Sequence, residues 1–398
     1  MYYLMYYNHN IYIFSFIVKG LVLLEKVSIV KCGNYSYKKV EKKVFQCLGN
    51  IEDLNKQIKR GSKVLVKPDL AKKNFLDEAV TTHPYIVEGV VRYLQNLGCE
   101  VIIGDSPEGP FDEKTLRTTY KATGMFEVQK RTGCQLNFDT SYVEVKNNNG
   151  KFLKSMKIVK SFNEVDLIIS VAKLKTHTMM IYTGGVKNLF GIIPGLTKAD
   201  YRLRMNSIDD FSNALVDVSE YIKPIFSIID AIEGMEGDGP FLGDKRSVGL
   251  IMASQNIYAL DMVASYIMGI EPSSIPTINT AKEREIFNGD IDSIEILGEE
   301  LKDIVVKPFK SSTVSSVYSI RGKTPKFLEK WILNNLVPRP IFNHDICISC
   351  KTCANNCPSK SIDISSGYPD VDLKQCIRCF SCYELCPKGA VEIKKSKK

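Results

Sequence analysis

Eight cysteines fall between Cys347 and Cys386, in two runs of identical spacing. Cys347, Cys350 and Cys353 are separated by two residues each, and three more residues lead to Cys357 and Pro358. The same gaps recur at Cys376, Cys379, Cys382 and Cys386, followed again by a proline, Pro387. Thiols this close together must converge, either on each other or on a metal. Disulfides belong to oxidising compartments, and clustered thiols in a reducing one point to metal or redox chemistry. The first residues carry neither a basic leader nor a clear small-residue cleavage site, so a cytoplasmic location is expected.

The repeated C-x2-C-x2-C-x3-C-P run is the ligand pattern of a pair of iron–sulfur cubanes. Three closely spaced thiolates on a tight turn grip three corners of one cubane. The fourth, carried onward, reaches the other. Cys347, Cys350, Cys353 and Cys386 are therefore expected to hold one [4Fe–4S] cluster, and Cys376, Cys379, Cys382 and Cys357 the second. The prolines turn the chain where it crosses between them. Zinc is the competing metal, but it favours two separated pairs of thiolates over a triplet plus a remote singlet. The other four cysteines, Cys32, Cys47, Cys99 and Cys134, are scattered and read as small buried apolar residues.

From about Phe342 to Ile393 the chain resembles the clostridial-type dicluster ferredoxins, which carry single low-potential electrons. It departs from them in charge: those carriers are usually acidic, whereas Lys and Arg outnumber Asp and Glu from Ile341 onward. The module reads as a wire fixed to its own partner domain. The lysine-rich tail, Lys394 to Lys398, reads as a solvated end, and no nucleic-acid partner is expected.

At 398 residues there is room for a large domain besides this small one, with a core that needs no disulfides. Residues 1–24 include the apolar run Ile11–Val18, which is too short to span a bilayer and is interrupted by Lys19-Gly20. They read as a non-native or disordered extension, and no stable membrane insertion is expected.

Between 25 and 307 apolar runs alternate with helical patterns. "SKVLVKP" (Ser62–Pro68), "CEVIIGDSPEGP" (Cys99–Pro110), "VDLIISVAKLKTH" (Val165–His177), "FSIIDAIEG" (Phe226–Gly234) and "VGLIMAS" (Val248–Ser254) read as strands. Pro84–Gly98, Ile208–Ile222 and Ile257–Met268 read as helices, the first with Pro at its start and Gly at its end. Continuous apolar strands joined by helices predict an α/β domain with a mostly parallel, doubly wound sheet. A β-hairpin is expected around Asn147–Gly150.

Ligands of open α/β sheets bind beyond the carboxyl ends of the strands. Lys67 and Asp69 follow the first run, Asp105 the second, Lys173, Lys175 and His177 the third, and Asp230 and Glu233 the fourth. His83 precedes a helix N-terminus, where free N–H groups attract anions. Two Gly-rich segments, Thr183–Gly195 with Lys187 and Glu233–Asp244, are placed to close over such an edge. Each residue has a duller reading: a cap, a turn or a packing residue. Their convergence makes His83, Asp105, Lys173, Lys175, His177, Lys187 and Asp230 the candidate catalytic set. The glycine patterns match neither a P-loop nor a dinucleotide fingerprint.

The segments "VLVKPDL", "TTHPYIVEGVVRYLQNLGCEVIIGDSPEGP", "AKLKTHTMMIYTGGVKNLFGIIPG", "DAIEGMEGDGP" and "ALDMVASYIMGI" resemble domain-of-unknown-function family 362, over about Glu25 to Leu301. The resemblance implies the fold class and the fusion to a C-terminal dicluster ferredoxin, with no established reaction. At Asp69 the family more often carries Asn; an acid there adds a metal ligand or repels an anionic substrate. Residues 308–340 read as a linker containing an amphipathic helix at Pro325–Leu336, and 341–398 as a small α+β ferredoxin-type domain.

The functional expectation is an electron-transfer protein with two [4Fe–4S] clusters, an oxidoreductase whose substrate the sequence does not name. Its partner is a redox protein or a small anionic substrate facing Lys67, Lys173, Lys175 and Lys187. The alternative is a non-redox binding, metal- or cluster-handling or redox-sensing protein whose clusters are structural or regulatory.

Overall fold

A computed structural model describes residues 24–51, 54–70, 78–205, 207–241, 243–304, 306–312, 338–357, 359–376, 378, 380–386 and 388–394. The chain begins with β1 (Glu25–Lys31), α1 (Tyr37–Gly49), α2 (Leu54–Gln57), β2 (Lys63–Pro68), α3 (Pro84–Asn96) and β3 (Glu100–Ile103). Then come α4 (Glu113–Ala122), α5 (Met125–Thr132), β4 (Gln135–Leu136), β5 (Tyr142–Lys146), β6 (Ser155–Val159) and α6 (Lys160–Asn163). They are followed by β7 (Leu167–His177), β8 (Ile181–Thr183), α7 (Gly185–Asn188), α8 (Gly195–Arg204) and α9 (Ile208–Ile222). The α/β part closes with β9 (Phe226–Glu236), β10 (Asp244–Ser254), α10 (Ile257–Ile267), α11 (Pro276–Glu283) and β11 (Ile294–Gly298).

These strands make a nine-stranded sheet in the order β11-β1-β10-β9-β7-β2-β3-β4, with β8 folded back on β7. Strands β9, β7, β2, β3 and β4 run parallel, and β1 pairs parallel with β11. Only β10 and β8 are reversed. The expected α/β class with a mostly parallel sheet is therefore what forms. The reversal of β10 has a local cause: β9 turns straight back into it through a tight loop instead of a crossover helix, and an antiparallel pair is what so short a connection allows.

Side-chain alternation shows that both faces are covered. Ile29, Leu65, Ile229 and Met252 pack in one core with α9, α10 and α11. Their neighbours Val30, Val64, Val66, Ile228 and Ile251 pack in a second core with α1, α3, α4 and α5. Successive strand residues point to opposite faces, so a strand that is apolar throughout must be buried twice. The hairpin β5–β6 forms where expected and is pinned from below by buried Asp217. That carboxylate accepts the N–H groups of Lys151, Phe152 and Leu153, each at 2.7 Å, and pairs with Arg284 at 2.7 Å.

Two expectations are corrected here. The segment Thr183–Gly195 is not an open Gly-rich loop: it is α7 followed by a 3-10 turn, Leu189–Ile192. Asp230 and Glu233 do not end their strand, because β9 continues to Glu236 as the partner of β10.

The small C-terminal unit holds β12 (Arg339–Phe342), α12 (Thr352–Asn355), β13 (Ile362–Asp363), β14 (Asp370–Val371), α13 (Ser381–Leu385) and β15 (Val391–Lys394). Strand β12 pairs with β15 and β13 with β14, each antiparallel, so each half lends a strand to the other. The halves repeat with the 29-residue offset that relates Cys347 to Cys376. Backbone conformation follows the same offset: Ser349 and Arg378, Lys351 and Phe380, and Lys360 and Gly389 all have positive φ. Left-handed residues inside each cysteine run fold it into the tight turn that the spacing predicts. The linker helix at Pro325–Leu336, residues 1–23 and Cys379 lie outside the described residues.

Candidate functional site

Three ion pairs lie at the carboxyl edge of the parallel strands, on lysines of β2 and β7. Lys67 Nζ is 2.8 Å from Asp105 Oδ1, and donates to Asn188 Oδ1 at 2.6 Å and the Pro68 carbonyl at 2.9 Å. Asp105 also accepts the N–H groups of Leu70 at 3.1 Å and Ser106 at 2.9 Å. Asn188, from α7, donates to Ser170 Oγ on β7 at 2.9 Å. Lys198, from α8, donates to the Ser106 carbonyl. Gly191 sits so close that a Cβ there would collide with Lys67 and Asp105.

The second pair is on the other face. Leu65 puts Lys67 on the α9 and α10 side, whereas Val171 puts Lys173 on the α1 and α3 side. Lys173 Nζ donates to Asp230 Oδ2 at 2.9 Å and to Tyr35 Oη at 2.6 Å. Tyr35 Oη in turn donates to Asp230 Oδ1 at 2.8 Å. The His83 N–H completes the set on Asp230 Oδ2 at 3.0 Å, and its ring stacks on Tyr35 at 3.8 Å between centroids. His83 Nδ1 accepts the Tyr85 N–H as the N-cap of α3, which puts the ring proton on Nε2.

The third pair is Lys175 with Asp69, at 2.7 Å. Lys175 also donates to the Val80 carbonyl at 2.7 Å. Thr81 and Thr82 clamp this corner. Their hydroxyls donate to the carbonyls of Asp69 at 2.7 Å and Val171 at 2.8 Å. Asp69 therefore neutralises a lysine, a role that neither a metal ligand nor an anion repellent describes.

Burial sets the chemistry of these groups. The side chains of Lys173 and Asp230 are 2% and 0% exposed, far beyond the reach of solvent screening. Desolvation lowers the Lys173 ammonium from its ordinary range, against the pull of Asp230. It likewise raises Asp105, although Lys67 and Lys198 oppose it. For Asp69 burial pushes upward, but Lys175 and Lys67 outweigh it and hold the carboxyl below its usual value. Burial and the Asp230 charge raise the Tyr35 phenol well above its ordinary value. Such pairs cost several kcal/mol of desolvation per ion, about what their attraction returns, so stability alone is a weak reason for three together.

In the small unit, Cys347, Cys350, Cys353 and Cys386 line one cavity, together with Ile348, Lys351 and Lys388. Three of these thiols come from the first run and one from the second. Cys347, Cys353, Cys357, Cys382 and Cys386 also make up much of the unit's small core, with Ile362 and Val391. The cubane that the repeated spacing implies fits this donor set, three thiols of one run and one of the other.

A dicluster family described as 4Fe-4S dicluster domain matches residues 339–387. The family described as domain of unknown function (DUF362) matches residues 64–266, half of the chain. The chain belongs to the DUF362 family. Thylakoid-associated protein sll1697 of Synechocystis sp. (strain ATCC 27184 / PCC 6803 / Kazusa) is 29% identical over 294 residues, covering 72% of this chain and 88% of that one. The lactate racemase apoprotein from Thermoanaerobacterium thermosaccharolyticum overlaps with a TM-score of 0.36 at 13% identity, over 62% of this chain and 57% of that chain. That overlap is too loose to bear on the DUF362 chain. With the dicluster match, the DUF362 chain is an iron–sulfur protein, and no helix among its described residues is long and apolar enough to cross a membrane.

The seven candidate residues of the DUF362 unit do not form one constellation. His83, Lys173 and Asp230 meet. Asp105 meets Lys67 on the opposite face, and Lys175 meets Asp69. Lys187 lies over the rings of Phe190 at 5.7 Å and Phe211 at 5.8 Å and adds to the positive field at Asp69. His177 turns into its own hairpin, where Nδ1 accepts the N–H groups of Met179 and Met180 at 3.1 Å. Among the described residues no group of three His, Cys, Asp or Glu side chains converges to hold a single ion, so the metal alternative for His83, His177, Asp105 and Asp230 gains no geometry. Tyr35, Asn188 and Lys198 are participants that sequence reasoning missed. Tyr35 follows the end of β1, a strand parallel to the core, and the strand-end rule extended to β1 finds it. Asn188 had no such signal, because its segment reads as a glycine loop.

Proposed function

We propose that the protein transfers low-potential electrons between iron–sulfur clusters in its C-terminal unit and a polar site at the carboxyl edge of the α/β sheet, as an oxidoreductase. The working division is an α/β domain at 25–307, a linker at 308–340 and a dicluster domain at 341–398, in a cytoplasmic protein. The observation that carries the reading is the shared cavity: three thiols of one run and one of the other line the same space. A cubane bound there, with a second on Cys357, Cys376, Cys379 and Cys382, would supply reversible one-electron transfer. Tyr35, Lys173 and Asp230 hold a proton network at the sheet edge, within which desolvation lets Lys173 release its proton more readily than an exposed lysine does. The lysines of β2 and β7 favour an anionic substrate.

The test is anaerobic. The purified protein is assayed for iron and sulfide, then followed by visible and EPR spectroscopy through reduction with dithionite and reoxidation. About eight irons per chain and full reversibility support the reading. Zinc in place of iron, or clusters that cannot be cycled without loss, sink it and leave a binding or regulatory protein. Candidate anionic oxidants are then screened for discharge of the reduced clusters, with Lys173→Met as the control that should slow it.

A further inference from the structure

The two halves of the small unit have the same backbone but not the same exposure. Lys351 is exposed, whereas its counterpart Phe380 is 9% exposed. Thr352 and Cys353 are half-buried, whereas Ser381 and Cys382 are 6% and 9% exposed. In the first half Cys350 is exposed beside Ile348 at 57%, and Ile346 at 46% and Tyr368 at 42% lie close by in sequence or across the turn. An isolated unit of such internal symmetry would show both cysteine turns to solvent alike. In the second turn the described residues Phe380, Ser381 and Cys382 are covered, and neighbouring Tyr383 lies within electrostatic reach of Glu78 in the α/β part. Glu78 leads directly into the 79–83 segment, whose Val80, Thr81, Thr82 and His83 hold Lys175, Asp69 and Asp230. The chain leaves the α/β part at this same edge: Ser312 donates to Asp238, in the β9–β10 turn beside the end of β7, at 2.9 Å.

The exposed turn is also chemically distinct. Its cavity is lined by Lys351 and Lys388, by the apolar Ile348, Ile364 and Pro369, and by no carboxylate. A cavity mouth whose lining carries only positive charge, with Ile348 exposed beside it, fits a partner of negative charge, because the field steers the encounter and the apolar contact holds it.

Resting on the electron-transfer reading, we infer that the turn carrying Ile348, Cys350 and Lys351 is the outer port, where a small acidic one-electron carrier protein docks, and that the turn carrying Phe380 and Cys382 faces the α/β site. The order is fixed by the broken symmetry. One electron leaves the reduced carrier, which is oxidised by one unit, and is received behind the Cys347, Cys350, Cys353 and Cys386 thiols. It then passes to the side held by Cys357, Cys376, Cys379 and Cys382, next to the 78–83 segment. No proton or bond changes hands in this step.

The experiment uses the full-length, iron-loaded protein and, as probe, a purified acidic clostridial-type dicluster ferredoxin. Three readouts are taken at low and high salt: the dissociation constant of the oxidised pair, carbodiimide cross-links located by mass spectrometry, and stopped-flow reduction by the reduced probe. Expected are cross-links at Lys351 and Lys388. For the K351E/K388E double variant, binding and reduction weaken about tenfold at low salt, and the gap closes at high salt. Lys374→Glu, outside the cavity lining, leaves both unchanged. Cross-links elsewhere, or equal effects of all the charge reversals while dithionite still cycles every variant, overturn the port and leave the electron-transfer reading standing. Failure of dithionite to cycle the unmodified protein sinks that reading and the port with it. Because the cross-links are mapped on the unmodified protein, the inference stays falsifiable even where a variant fails to load iron.

Discussion

Lys67 and Lys173 show how a buried charge is made tolerable. Each ammonium meets a carboxylate and at least one further acceptor, so that none of its charge faces apolar atoms alone. Removing one partner exposes the cost. Lys67→Met strips Asp105 of its ion-pair partner at 4% exposure, and the protein should lose about 3–5 kcal/mol in urea unfolding. Replacing both partners, Lys67→Met with Asp105→Leu, should recover most of that loss; a double variant as weak as the single one would contradict the account. Tyr35→Phe keeps the stack on His83 but removes one hydroxyl from between Lys173 and Asp230, and a smaller loss of about 1–3 kcal/mol is expected. The strand-end lysines and acids could be named from sequence because a charge after an apolar run is conspicuous. Their pairing could not. Which face each lysine takes depends on strand register, and a bulge lies between Lys173 and Lys175 where β7 meets β9.

At the scale of elements, α7 is held by a single residue of α10. Asp261 accepts the N–H groups of Gly185 at 2.6 Å and Val186 at 3.0 Å and the Tyr182 hydroxyl at 3.0 Å. Burial pushes its carboxyl up to about 6, against those donors. A raised carboxyl stabilises the fold fully below its unfolded value and loses that contribution as pH rises through about 6. The advantage of the natural protein over Asp261→Asn should therefore narrow from pH 4 to pH 7, by about 3 kcal/mol at most. Thermal melts across that range check it, and a constant gap would remove Asp261 as the titrating group. Gly191→Ala tests the other end of the segment: the new methyl group meets the Lys67–Asp105 pair, and a loss of about 1–3 kcal/mol is expected from the displaced turn. The strands and long helices were legible because apolar period and end signals agree there, as at Pro84 in α3 and across Ile208–Ile222. The segment from Thr183 to Gly195 was misread because its glycines answer to close approach, of Gly184 to Tyr182 and Asp261 and of Gly191 to Lys67 and Asp105, and not to looseness.

In the whole molecule, the cysteine runs were the most legible feature, since spacing alone specifies which thiols meet. The shared cavity makes this testable across the halves. Cys386→Ser lies in the second run, yet should perturb the EPR signal and iron content associated with Cys347, Cys350 and Cys353; damage confined to the partners of Cys376 and Cys382 would refute the crossing. What sequence could not show is the unequal exposure of the two turns among the described residues, because burial depends on packing and not on spacing.

The cores of the two units have different makings. The sheet buries Ile, Val and Leu on both faces and needs nothing from outside. The small unit's interior is in large part sulfur. Its order is thus borrowed from the cell's supply of iron and sulfide, and folding and cofactor insertion become one event there. A chain made under iron starvation would carry a finished α/β body, with Lys173 paired to Asp230, and an unfinished tail. Calorimetry of metal-stripped protein should then keep the larger transition and lose the smaller.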